Sequence, residues 1–175
     1  MILCYSDFTH TIFDYFSALK KREMVYEFIV PLITALFYFY YGFSLVPSDD
    51  VPKFFSAFNS LLVNVFAILV GFTIAAIAIF TTVDHKKLDL LIKDSDRKIH
   101  GITISNFRFI YVNLIYSAFS SIVMLAFTLS SVILSYAIKE QFLTTLLVFG
   151  TMHILLLSMR NITTIYFVFA TLKCD

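Results

Sequence analysis

The stretch FFSAFNSLLVNVFAILVGFTIAAIAIFTTV, from Phe54 to Val83, contains no charged side chain. A bilayer core about 30 Å thick is crossed by about 20 predominantly apolar residues in a helix, so this run is long enough to span it. Three further stretches pass the same test. Met24 to Val46 carries only Glu27, near its start, and ends in the aromatic run Phe37 to Tyr41 before Pro47. Phe107 to Ile138 is charged only at Arg108, and Phe142 to Leu172 holds Arg160 deep inside it. Phe54–Val83, Phe107–Ile138 and Phe142–Leu172 have residues to spare for tilting or projecting. An all-α polytopic membrane protein with four transmembrane helices is the predicted fold.

Composition agrees. Of 175 residues, 59% are apolar and 14% charged, against about 45–50% and about 25% in soluble domains. Thirteen Lys and Arg nearly cancel twelve Asp and Glu, so no bulk charge points to direct nucleic-acid binding. Cys4 and Cys174 lie near opposite termini without CxxC or Cys/His spacing, which argues against disulfide frameworks and zinc modules. There is no HExxH, GxSxG, P-loop or intramembrane aspartate pair. With so little polar chain, the sequence predicts neither an enzyme nor a cofactor.

Lys and Arg in short loops stay cytoplasmic during insertion. With both termini inside, Lys20, Lys21, Arg22, Lys86, Lys87, Lys93, Arg97, Lys98, Arg108 and Lys173 fall on the inner flanks, and only Lys53 and Lys139 on the outer loops. The expected topology is N-in/C-in. Tyrosines replace the missing tryptophans as interface anchors: Tyr38, Tyr40, Tyr41 and Tyr136 outside, Tyr26, Tyr111 and Tyr166 inside.

Residues 1–23 lack the basic n-region of a signal peptide. Tyr5, Phe8, Ile12, Phe16 and Leu19 recur at helical spacing, which predicts an amphipathic helix at the cytoplasmic face, followed by a single transmembrane domain over 24–175. The polar loop at 84–106 is the largest cytoplasmic segment. Its Leu88, Leu91, Ile92 and Ile99, with Asp89/Lys93 and Asp94/Lys98 at i,i+4 spacing, predict a short helical extension. Leu88, Leu91 and Ile92 are the candidate docking residues for a soluble partner, with a plain solvated connection as the alternative.

Small and polar residues line three of the spans. In the second, Ser60, Asn64, Ala67, Gly71, Ala75, Ala78 and Thr82 share one narrow arc. Asn113, Ser117, Ser120, Met124, Thr128, Ser131 and Ser135 form the equivalent face of the third, and Gly150, His153, Arg160, Thr164 and Thr171 that of the fourth. Such faces let helices approach closely. The three are expected to face one another, with Ala67, Gly71, Ala75 and Ala78 packing a homo-oligomer; a water-lined conduit is the alternative.

An arginine near the bilayer centre costs at least about 2.5–3.5 kcal/mol, so Arg160 needs a polar destination. Counting about 1.5 Å per residue from the inner ends puts it level with Gly71 and Ser120, and His153 level with Asn64 and Thr128. Helical side chains lean toward their own N-terminus, so Arg160 leans outward and Glu27 inward, which weighs against that pair. Ser117, Ser120, backbone carbonyls, water or a lipid phosphate are the expected partners. Arg160 reads as a gate, a sensor or a structural clamp, and His153 as a packing residue or a proton sensor.

The stretch FNSLLVNVFAILVGFTIAAIAIF, Phe58 to Phe80, resembles the second helix of small membrane proteins in bacterial anti-phage defence operons. The four-span layout resembles the membrane subunit of the Kiwa system, and retron-associated membrane effectors are also similar. The Kiwa resemblance implies a homo-oligomeric inner-membrane sensor that holds a cytoplasmic DNA-binding effector. Two function classes follow: a sensing scaffold for a soluble effector, and a pore or small oligomeric ion channel that permeabilises the membrane when triggered.

Overall fold

The computed structural model describes residues 2–42, 50–82 and 94–171. Helix α1 is Ile2–Ala18. Helix α2, Lys21–Gly42, combines α-helical turns with π turns at Val25–Ile29 and Tyr38–Gly42. Helix α3 is Val51–Thr82, strands β1 and β2 are Asp94–Ile99 and Ile102–Ser105, and helices α4 and α5 are Asn106–Leu134 and Glu140–Thr171. Four helices, α2 to α5, are long and apolar enough to cross a membrane. These features define an all-α, multi-pass membrane protein carrying one small β-hairpin. Leu88, Leu91 and Ile92 lie outside the described residues.

Proline supplies the first local rule. Pro31 has no N–H to give the carbonyl of Glu27 four residues back, so a regular α-helix cannot continue there. The chain widens into a π turn over Val25–Ile29 just before it. Glu27 thereby sits in an irregular turn with a spare carbonyl.

Among the described residues, helices α3 and α4 form the largest contact. On α3 the buried residues are Phe55, Asn59, Leu62, Phe66, Thr73 and Phe80, with Leu69 and Ala76 partly buried. These positions alternate by three and four, the heptad spacing of an interlocking seam. On α4 the buried small and polar residues are Asn113, Ser117, Ser121, Thr128 and Ser131, and Ser131 Oγ donates to Asn59 Oδ1 of α3 at 3.0 Å. One small surface against one large one is enough for close approach. The small face of α3 is therefore left outside, which corrects the expectation that it meets the other helices within the chain. Asn64, Ala67, Gly71, Ala75 and Ala78 are all exposed, and a Cβ added at Gly71 meets nothing within 4 Å.

Helix α5 packs antiparallel on α4 through the turn at 135–139, and α2 packs on α5. Two cores result. Phe55, Leu62, Phe66, Leu143, Leu147 and Ile154 form one toward that turn. Tyr15, Ala18, Phe80, Ile99, Ile104, Phe109, Ile110, Tyr116 and Leu157 form the other, at the hairpin end.

The hairpin replaces the helical extension expected in the second half of the 84–106 loop. His100 and Gly101 both have positive φ, 50° and 84°, and Ile99 pairs with Ile102. Two central residues with φ > 0 make the turn that matches strand twist. Lys98 pairs with Thr103 across the ladder, so Asp94 and Lys98 do not share a helical face.

Helix α1 meets the bundle through two residues outside the expected apolar stripe. Tyr15 and Ala18 are its buried residues among those described, set against α4 and the hairpin, while Phe16 is half-exposed. The side chains of Tyr5 and Phe8 lie outside the described residues.

A buried ion-pair cluster as the candidate functional site

The π turn of α2 turns Glu27 into the bundle, where only 3% of it is exposed. Its carboxylate pairs with Arg160 of α5 and accepts the hydroxyl proton of Tyr15 from α1. Arg160 Nη2 donates to Tyr15 Oη at 3.2 Å and to Asn113 Oδ1 at 3.1 Å, and Nη1 stands 4.0 Å from Glu23. One guanidinium thus joins α1, α2 and α4 to α5. The planar fork makes this possible, because its N–H groups point in fixed, separate directions.

Tyr15 holds the centre. Its ring stacks on Tyr116 of α4 with centroids 3.6 Å apart. Burial pushes its phenol well above the ordinary range. It therefore stays protonated, as its bond to Glu27 requires.

His153 closes the other side. Its Nδ1 lies 2.8 Å from the Glu27 carbonyl, the one that Pro31 leaves without its helical donor. A carbonyl only accepts, so Nδ1 carries the proton, and in the neutral ring Nε2 accepts from Tyr116 Oη at 3.3 Å. A defect in α2 is repaired by a side chain of α5.

A second ion pair ties in the hairpin. Arg97 of β1 donates through Nη1 to Glu23 at 2.6 Å and to the Ala18 carbonyl at 3.0 Å, pairs through Nη2 with the same carboxylate, and lies 3.9 Å over the Phe109 ring. Glu23 also accepts the backbone N–H of Lys20 at 3.1 Å, fixing the start of α2. Farther out, Asp14 meets His100 at 3.2 Å and Arg108 at 3.6 Å. The two carboxylates, Glu27 buried and Glu23 a quarter exposed, balance the two guanidiniums in charge. Removing one partner of the Arg160–Glu27 pair, the more deeply buried of the two, costs about 3–5 kcal/mol.

These contacts correct the expected partners of Arg160. Its bonds go to Glu27, Tyr15 and Asn113, not to Ser117 or Ser120. Ser117 is fully buried on α4, and Ser120 lines an apolar groove. The depth count pointed to Ser120, whereas the guanidinium meets Asn113, seven residues nearer the start of α4, because a long arginine stem lets the charged head reach well away from its own Cα. His153 belongs to the cluster, whereas Asn64 faces outward on α3. Tyr15, Glu23 and Arg97 were missed. Pro31 four residues after Glu27 was a legible signal of an orphaned carbonyl there; nothing in sequence spacing marked Tyr15.

No protein-family model, curated protein or solved structure matches this chain.

Proposed function

We propose that this protein is a membrane-embedded sensor and scaffold subunit of an anti-phage defence complex that recruits and controls a cytoplasmic effector. In this reading it lies in a bacterial inner membrane, N-in/C-in, as a homo-oligomer. The observation that carries the mechanism is the Arg160–Glu27–Tyr15 cluster, which fastens α1 and, through Glu23 and Arg97, the hairpin to the membrane bundle. A disturbance that shifts α2 against α5 breaks bonds to both elements at the face where an effector docks. The defence role rests on the resemblance of Phe58–Phe80 and of the four-span layout. Its test is phage challenge of cells carrying the chain with its neighbouring genes. Protection that survives Arg160→Leu in a normally assembled protein refutes the latch as the sensing device.

A pore is the second reading, favoured by the outward face of α3. Asn64, Gly71 and the alanines around them suit a seam between copies, and Asn64 gives that seam a polar atom. Dye leakage from vesicles containing the chain alone supports the pore; co-purification with a soluble effector and no leakage supports the scaffold.

A further inference from the structure

A groove of about 420 Å³ runs between α4 and α5, walled by Phe119, Val123, Phe127 and Phe149, with Phe16 of α1 and Phe28 of α2 at one end. Phe16 and Phe28 also wall a second hollow of about 290 Å³, bounded by Met24, Val25 and Ile29. Both are lined almost wholly by apolar atoms and open sideways on helices long enough to cross a membrane. A helix, about 10–12 Å across, does not fit such a slot; a single hydrocarbon chain does. The smaller hollow ends beside positive charge. Lys21 lies one turn before Met24 and Val25 on the same helical face, Arg22 follows it, and both are exposed.

We infer that this groove seats an acyl chain of an anionic phospholipid whose phosphate is held by Lys21 and Arg22. The charge complementarity decides the headgroup, and the stacked Phe16–Phe28 pair, which walls both hollows with ring centroids 5.7 Å apart, marks where the chain would pass from one to the other. The inference extends the proposed sensor by naming a ligand beside His153 and Tyr116, which line the same groove. It does not depend on a defence role.

The chain has no tryptophan, so Phe119→Trp places one reporter in the groove, with Phe127→Trp as a second should the first fail to fold. Each variant is reconstituted in phosphatidylcholine vesicles containing phosphatidylglycerol, with one lipid brominated at a time. A basic residue near an anionic surface contributes about 1 kcal/mol. Brominated phosphatidylglycerol is therefore expected to quench the groove reporter at least about fivefold beyond its share of the lipid. Ile68→Trp, on the exposed surface of α3, is expected to quench in proportion to composition. Adding Lys21→Gln and Arg22→Gln should return the groove reporter to proportion. Proportional quenching in the parent background, or enrichment that survives loss of both charges, overturns the inference. Because no phage is involved, failure here is distinguishable from failure of the sensor reading.

Discussion

Replacing Arg160 by Leu leaves the Glu27 carboxylate buried with the Tyr15 hydroxyl still donating, but without a counter-charge. It also removes the donors to Tyr15 and Asn113. Breaking a buried pair from one side costs about 3–5 kcal/mol. The loss should be concentrated where α1 meets the bundle, because Tyr15 bonds both members of the pair. The decisive measurement is a double-mutant cycle of Arg160→Leu and Glu27→Gln, with unfolding followed in detergent and α1 release followed by hydrogen exchange. Directly paired charges should couple by at least about 1.5 kcal/mol, the double variant recovering much of what either single variant loses. Arg160→Lys should fall between parent and Leu, since one ammonium cannot serve Glu27, Tyr15 and Asn113 in their separate directions. Additivity within about 0.5 kcal/mol, the behaviour of independent sites, would refute the cluster as a coupled unit.

Tyr15→Phe keeps the stack on Tyr116 but loses the hydroxyl between Glu27 and Arg160, and should destabilise by about 1.5–3 kcal/mol with faster exchange in α1. His153→Phe should cost about 1–3 kcal/mol by stranding the Glu27 carbonyl, and much less in a Pro31→Ala background, where residue 31 regains an N–H; an equal cost in both would show that the proline is irrelevant. Gly71→Leu should leave the fold of one chain unchanged, since a Cβ there meets nothing, and reduce oligomer size in detergent if copies meet on α3; an unchanged oligomer assigns that face to lipid. For topology, with Cys4 and Cys174 replaced by Ser, a cysteine at Tyr136 should label from outside the cell and one at His100 should not; the reverse pattern inverts the orientation.

The spans were legible because hydrocarbon solvent demands uninterrupted apolar length, which a sequence displays directly. The inward face of each span was less so. In lipid the exposed side of a helix is as apolar as the buried side, so periodicity reports chemistry without direction. On α3 the small residues drew attention, yet the seam follows the heptad through Asn59, Phe66, Thr73 and Phe80. The hairpin was hidden by charges whose i,i+4 spacing imitates a helix, although Gly101 after His100 and the alternation of Ile102 and Ile104 mark a turn and a strand. The cluster was only half legible: Arg160 and His153 stood out as polar residues in apolar runs, while Tyr15, a partner of Arg160 and Glu27, sat in a segment that looked merely amphipathic.

Glu27 and Arg160 belong to the first and the last of the four long helices, and this sets an order of events during synthesis. Chains emerge N-terminus first, so α2 is made with its carboxylate uncompensated and stays so through the synthesis of three further elements. Only when α5 arrives does Glu27 gain a counter-charge and its carbonyl a donor, and only then is Tyr15 of α1 held from both sides. The cluster is therefore the last part of the fold that can close. A chain ending before α5 would carry an acid without its counter-charge in its first long helix and an N-terminal segment without the Arg160 donor to Tyr15.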